Sequence, residues 1–337
     1  MDRTGGGRPR RTTIHDVARA AGVSHQTVSN VVHGTGRVGD RTRDRVREAI
    51  AALGYRPHAG AASLRTSRSR RLAHPITTGE LQVGNAIMLE FVAALAEAAG
   101  RAGHHLLLTT SGDGGLDDIA QLAGSGAIDA VVLADVANHD PRVQALTSWH
   151  IPFACFGRTA ADLPQNWVDV DNHAGLAAAT GHMLERGHRA VAFLGYTAQG
   201  RWDVEREAGY RDTMTAAGLE PVVVTADLST TATREAVAGL LDRGARPTAV
   251  VTGSDVLAAA VYAAASRRGL RIGSDLAVSG FDGSVAGRAL DPMLTTVRIP
   301  VQRLTELLVS RVLDEVDGPT GRPGEVLVPD LVVGASS

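Results

Sequence analysis

The sequence predicts an all-α helix-turn-helix head followed by an α/β body of two doubly wound parallel-sheet subdomains with a cleft between them. Three observations carry this. Charge is segregated: residues 1–71 hold 15 Arg against 5 acids, net +10, and the remaining 266 residues hold 19 Arg against 31 acids, net −12, within a total of −2. Two short apolar stripes at helical spacing, separated by a glycine turn, lie inside the basic part. Beyond residue 71, short apolar runs alternate with helical segments, the pattern of βαβ units and parallel sheets.

A length of 337 residues with 44% hydrophobic side chains allows more than one buried core. A small basic segment on a larger acidic body is the electrostatic footprint of a nucleic-acid reader attached to a second function. The single cysteine, Cys155, excludes an internal disulfide, and the apolar run around it, 151–156, reads as a buried strand. No apolar stretch approaches eighteen residues and the Arg/Gly-rich start lacks the apolar core of an export signal. The expectation is a cytoplasmic protein without a membrane partner.

Residues 1–11 have no periodicity and read as a flexible arm. Thr12 and Thr13 then precede Ile14, Val17, Ala18 and Ala21, with hydroxyls placed to cap a helix. Gly22 ends that helix, Val23 falls in the turn, and Ser24 opens a second helix with Val28, Val31 and Val32 inward. Ala18 and Gly22 are small enough for the tight crossing of a helix-turn-helix. The second helix turns His25, Gln26, Thr27, Ser29, Asn30 and His33 outward, and such a helix reads bases mainly through its N-terminal residues. Gln and Asn pair bidentately with adenine, and Ser and Thr reach backbone or bases. Thr13, Ser24 and Arg37 complete the candidate DNA-contacting set. A solvated polar face is the alternative for any one residue. A third helix is expected over 41–53 with Val46, Ala49, Ile50 and Leu53 inward, stopped by Gly54.

In the body, strands are expected around 106–108, 130–133, 153–156, 190–194, 249–251 and 276–278, with helices over 88–102 and 174–185 among their connections.

Residues 12–64, TTIHDVARAAGVSHQTVSNVVHGTGRVGDRTRDRVREAIAALGYRPHAGAASL, resemble without a gap the head of the LacI/GalR (lactose-repressor and galactose-repressor) family, whose shape is TI-x-DVA-x-x-AGVS-x-x-TVS, then V-x-x-x-TR-x-RV, LGY-x-P and A-x-x-L. The resemblance continues through VDVDNHAG (168–175), ERGHRAVAFLG (185–195), EREAGYRDTM (205–214), PTAVVTGSD (247–255), DLAVSGFDG (275–283), LTTVRIP (294–300) and the final VLVPDLVVGASS. It implies a transcriptional regulator, a repressor by family habit, with a periplasmic-binding-protein-like body. It also implies a homodimer on a pseudo-palindromic operator in double-stranded DNA and a small-molecule effector, a sugar, in the body cleft. Its division of the chain is a flexible arm (1–11), the helix-turn-helix domain (12–57), a hinge helix and linker (58–71) and an effector-binding and dimerisation domain (72–337). Within the last, one subdomain takes about 72–168 plus 297–322 and the other about 169–296 plus 323–337.

The resemblance further implies that the hinge folds on cognate DNA and that Leu64 wedges into the minor groove. Such a wedge costs a few kcal/mol of unstacking and bends the duplex. Gly60 stands inside this hinge, and His58 replaces the usual Asn. Arg206, Ser254 and Asp282 match effector-contacting positions, Ser254 replacing a common Asn. An Arg fork and a carboxylate form directional hydrogen bonds to polyol hydroxyls; the alternative is an ion pair shaping an empty cleft. Trp202 is read either as a stacking platform for a sugar ring or as packing. The first strand and loop, RLAHPITTGELQVGN (71–85), depart most from the family.

Enzyme signatures are missing: there is no G-x-S-x-G elbow and no Walker loop, and Cys155 has no evident base. His104 with His105, and His182 with His188, lack a convergent partner at a known metal spacing, and the turn 111–115 is too short to cradle a nucleotide. The reading is therefore no enzyme, no cofactor and no metal. The rival is a solute-binding or sugar-processing protein of the same body fold with an incidental helical head.

Overall fold

The structure, a computed structural model, describes residues 12–55, 68–76, 86–110, 115–161, 163, 165–197, 200–226, 230–244 and 246–337. The arm, the hinge residues 58–67 with Gly60 and Leu64, the loop 77–85 and the turn 111–114 lie outside the described residues. The chain divides into two compact units, Met1–Ser69 and Arg70–Ser337.

The first unit contains α1 (Ile14–Ala21), α2 (His25–His33) and α3 (Asp40–Leu53). Their stripes close one core of Val17, Ala18, Ala21, Val28, Val46 and Ala49, with Ile14, Val23, Val31, Val32 and Ile50 packed at its edge. Gly22 at φ 63 ends α1 in the left-handed conformation that a glycine adopts without strain. Leu53, expected inward, is 39% exposed. The left-handed turn at Gly54 brings Tyr55 back onto the core in its place, and the Tyr55 amide donates to Ile50 O at 3.1 Å.

The second unit holds two six-stranded sheets. The first, in the order β11-β5-β4-β3-β1-β2, contains β1 (Arg71–Ile76), β2 (His105–Thr110), β3 (Ala130–Leu133), β4 (Phe153–Phe156), β5 (Trp167–Val170) and β11 (Glu325–Leu327). The second, in the order β12-β10-β9-β8-β6-β7, contains β6 (Val191–Tyr196), β7 (Val222–Ala226), β8 (Ala249–Thr252), β9 (Ala277–Asp282), β10 (Thr295–Arg298) and β12 (Asp330–Val332). All pairings are parallel except β10 with β12. Helices α4 (Ala86–Arg101), α5 (Leu116–Gly124) and α6 (Pro141–Ser148) connect the first series. Helices α7 (Asn172–Glu185), α8 (Arg201–Ala216), α9 (Thr230–Leu241), α10 (Asp255–Arg267) and the short α11 (Val285–Arg288) belong to the second. Helix α12 (Val301–Asp317) returns to the first sheet, where Leu304, Leu308 and Val312 join its core. Buried central strands such as AVVL in β3 and AVVT in β8 read as continuous apolar runs because helices cover both faces.

The chain thus crosses between sheets three times, after β5, after β10 and after β11. Residues 323–327, expected in the second subdomain, run into β11, which pairs with β5 from Glu325 opposite Val168. Gly324 makes that approach possible: a Cβ there would lie 1.8 Å from Trp167 Cε2. Likewise β10 keeps Val297 and Arg298 in the second sheet, so the return begins after 298 rather than at 297.

Helices α7 and α8 cross where Gly209 faces the His173 carbonyl; a Cβ on Gly209 would lie 2.2 Å from that oxygen. Gly209→Ala is expected to destabilise the body by about 1–3 kcal/mol through overpacking, read as a lower urea midpoint at unchanged slope. An unchanged midpoint would show that the helices can separate freely.

Candidate functional site: a helical reading head and a polar cleft

In the head, local hydrogen bonds hold the start of α1 and of α2. Thr13 caps α1: its Oγ1 accepts from Asp16 N at 3.3 Å, while Asp16 Oδ2 accepts from Thr13 N at 2.9 Å. Ser24 caps α2, its Oγ accepting from Thr27 N at 3.1 Å and lying 2.9 Å from Thr27 Oγ1. Gln26 Nε2 donates to Asn30 Oδ1 at 3.2 Å, so the two amides are oriented together before any ligand arrives. Gly36, at φ 74, leaves room beside them, since a Cβ there would meet Asn30 Nδ2 at 2.9 Å. Thr13, Ser24, His25, Gln26 and Arg37 are exposed, and Thr27, Ser29 and Asn30 half-buried.

In the body, the C-terminal ends of β6, β8 and β9 and the first turns of α8 converge on one polar group. Arg206, 6% exposed, donates from Nε to Asn172 Oδ1 at 3.0 Å and from Nη1 to the Gly253 carbonyl at 2.7 Å. Nη1 stands 3.7 Å from Asp282 Oδ1, a loose ion pair. The guanidinium lies over Phe281, 3.7 Å from its centroid, with Trp202 at 4.8 Å, so aromatic faces replace water around the charge. Tyr196 meets Trp202 edge-on and hydrogen-bonds Ser254 Oγ at 2.8 Å. Burial pushes the Tyr196 phenol up to about 12. Burial also raises Asp282 well above the usual carboxylate range, against the pull of Arg206, and lowers Arg206. Both charged groups are thus under-solvated and open to better partners. Asp282 is held at φ 114, and Asp135 at the end of β3 at φ 49. Strained non-glycine backbone at strand ends, costing on the order of 1–3 kcal/mol each, collects at functional sites.

Three polar contacts join the sides of this cleft. Trp202 Nε1 donates to Asp135 Oδ1 at 3.3 Å. Arg158, following β4, donates from Nε to Asp169 at 2.7 Å and from Nη2 to both oxygens of Glu205 on α8 at 2.8 and 2.9 Å. Glu90 of α4 accepts from Val285 N at 2.5 Å and from Arg288 at 3.3 Å. Behind Asp282, buried Asp255 accepts from Ser284 N and Oγ and from Thr296 Oγ1, which locks the turn after β9. A groove of about 300 Å³ is lined by Phe193, Tyr196, Asp203, Glu207 and Arg211, and Arg206, Ser254 and Asp282 are not in its lining.

Known proteins share this architecture. Residues 13–58 match the model for bacterial regulatory proteins of the lacI family, and residues 180–337 that for a periplasmic binding protein-like domain. The HTH-type transcriptional regulator CelR of Thermobifida fusca is 31% identical over 94% of this chain and 95% of its own length. The chain belongs to the LacI family of bacterial regulatory proteins. Among solved structures, a CelR–cellobiose complex is similar at TM-score 0.72 with 28% identity, over 97% of this chain and 100% of that one. A lac repressor dimer bound to operator and an anti-inducer shares the fold at TM-score 0.85 with 24% identity, over 97% and 99%.

For this LacI-family chain the structure brings Trp202 and Arg206 of α8 together with Ser254 before α10 and Asp282 at the end of β9. Ser254 is largely committed: its Oγ caps α10 by accepting from Leu257 N at 3.2 Å and also meets Tyr196. Trp202 covers the guanidinium and bonds across the cleft, so packing is part of its role. Sequence reasoning missed Asn172, Tyr196, Phe281 and Asp135. Asn172 and Phe281 sat inside motifs already singled out, but Tyr196 lies two residues beyond the expected strand end and Asp135 is placed by tertiary structure alone.

Among the described residues no helix is long and apolar enough to cross a membrane and no group of three or more His, Cys, Asp or Glu is placed to hold a metal. Cys155 is buried in β4, and its thiol is pushed up by desolvation.

Proposed function

We propose that this LacI-family transcriptional regulator is a homodimeric repressor that reads a pseudo-palindromic operator with α2 and yields or holds it according to a sugar in the body cleft. The observation that carries the ligand class is the buried Arg206–Asp282 pair, with the Arg206 guanidinium against the rings of Phe281 and Trp202. A sugar hydroxyl can donate to the carboxylate while another accepts from Arg206 Nη2, which has no hydrogen-bond partner among the described residues, and the ring's C–H face suits an indole. Likeness to a CelR–cellobiose complex supports the same class.

Base reading falls to His25, Gln26, Ser29 and Asn30, with Thr13, Ser24, Thr27, His33 and Arg37 placing the helix on phosphates. Leu64 wedges the minor groove. A dimer sets two heads on two half-sites and so imposes the palindrome. The sugar acts through differential affinity for the two states of the body, whose cleft contacts Trp202–Asp135, Arg158–Glu205 and Glu90–Val285 form or break as its sides move.

Two measurements test this. Duplexes selected by the protein from a random pool should be palindromic and bind with affinity falling steeply between 50 and 200 mM salt; absence of salt-sensitive binding to any palindromic duplex would overturn the DNA reading. A thermal-shift screen of mono- and oligosaccharides, purines and sugar phosphates should return a sugar that alters that affinity. A stabilising ligand without effect on DNA affinity sinks the switch. Gly60→Ala should tighten operator binding about fivefold, as roughly 1 kcal/mol of helix cost is removed from the hinge; unchanged affinity counts against a hinge that folds on DNA.

A further inference from the structure

His15 on α1 and His25 at the start of α2 are both exposed, ten residues apart in sequence, and their rings stand with centroids 5.4 Å apart and planes inclined at 46°. Zinc–imidazole bonds are about 2.0–2.1 Å long and structural zinc is tetrahedral. Adding the radius of an imidazole ring places the centroids of two rings on one such ion about 5 Å apart. The observed spacing of 5.4 Å is therefore close to that of two ligands of one metal ion, and rotation of the two exposed side chains is what would aim a nitrogen of each at it.

The backbone positions from which the two rings project are fixed. The Thr13–Asp16 box locks the first turn of α1 and the Ser24–Thr27 cap locks that of α2. Val17, Ala18 and Val28, all buried, fix the crossing between them. A ligand pair mounted on two capped helices loses little freedom on binding. Imidazole offers nitrogen donors and no anionic oxygen, and residues 1–71 carry net positive charge. That excludes hard cations such as Mg²⁺ and Ca²⁺, which need several anionic oxygens, and leaves the borderline dications that favour imidazole nitrogen.

We propose that His15 and His25 form a two-imidazole site for a borderline transition-metal dication of the Zn²⁺ or Ni²⁺ class, and that its occupancy withdraws His25 from base reading. With two protein ligands and water completing the shell, affinity is roughly micromolar, far weaker than a four-ligand structural site. The regulatory half rests on the reading of α2 as the DNA-reading helix; the metal site does not. Once its lone pair is on the metal, His25 cannot accept from a base edge, while the added charge still attracts phosphate. The ratio of operator to non-specific affinity then falls, roughly tenfold for a lost base contact.

Zn²⁺ titration of the full chain without DNA, followed by calorimetry, tests the site. The wild type should bind one equivalent more than either His15→Gln or His25→Gln, and Mg²⁺ should give no such difference; identical isotherms for the wild type and both variants would overturn the site. Circular dichroism melts of the variants establish that the head remains folded. With a duplex selected by the protein itself, Zn²⁺ should lower the operator-to-non-specific ratio about tenfold in the wild type and leave His15→Gln unchanged. An equal response in both would overturn the regulatory role. If no variant binds DNA under any condition, the reading of α2 fails, and the zinc isotherms alone decide the site.

Discussion

Replacing Arg206 by Met is expected to cost the body about 3–5 kcal/mol of stability and to abolish ligand binding in the cleft. Removing one partner of a buried ion pair leaves the other charge unpaired, and that penalty dominates the change. Arg206 holds more than one partner: Asn172 Oδ1, the Gly253 carbonyl and Asp282 all turn to it. Asp282, already pushed upward by burial and by neighbouring Asp255, would then lose the Arg206 charge that opposes that rise. Urea unfolding of the body unit is the measurement. The double variant Arg206→Met with Asp282→Asn should recover part of the loss, because it removes the stranded charge. A cost for Arg206→Met that is the same with Asp or Asn at 282 would show that the 3.7 Å pair carries no coupling.

The second large effect is a pH dependence traceable to His74. This residue is fully buried in β1, with Nδ1 2.8 Å from the Val132 carbonyl. A carbonyl only accepts, so Nδ1 carries the proton, and Nε2 presents a buried lone pair with no partner among the described residues. Desolvation lowers the imidazole to about 4, from the ordinary 6.5. The folded state therefore keeps His74 neutral down to about pH 4, while the unfolded chain takes up a proton below pH 6.5. Because the unfolded state binds more protons in that window, stability rises with pH there. The contribution is complete above pH 6.5, erodes by about 3 kcal/mol on descending to pH 4, and changes no further below. His74→Leu should remove this component. Between pH 7.5 and 4.5 the wild-type unfolding free energy, relative to the variant's, should fall by about 2–3 kcal/mol; parallel curves would place the acid sensitivity elsewhere. Comparing the two curves cancels the titration of groups common to both.

Elements set by neighbours in sequence were legible to within a residue or two. The caps at Thr13 and Ser24, the glycine stop at Gly22 and the strand AVVL depend on interactions a few residues long or on an unbroken apolar run. Helical spacing puts Leu53 inward, but it cannot show that Gly54 turns the chain early enough for Tyr55 to supply the apolar group. The end of the body was misdivided for a similar reason. Residues 323–327 carry no pattern that distinguishes one sheet edge from the other, and the choice rests on Gly324 passing under the Trp167 ring.

In the cleft, residue types revealed Arg206 and Asp282 as candidate ligands but not what else would hold them. Asn172, Gly253 and Phe281 reach Arg206 from three separate segments, and Asp135 reaches Trp202 from 67 residues away. The same limit applies in the head, where a histidine at each of two helix starts is ordinary until the crossing brings their rings to 5.4 Å.

By itself, then, the sequence determined the helical head, the alternating body, the segregation of charge and the residue types available for reading DNA and binding a polyol. Each follows from short-range periodicity, capping chemistry or composition. Tertiary structure decided which charges are desolvated, which strand edge the last segment joins, and which side chains share a site. Those outcomes depend on sheet register and helix crossing, where a neighbour is chosen by packing across many residues rather than by position along the chain.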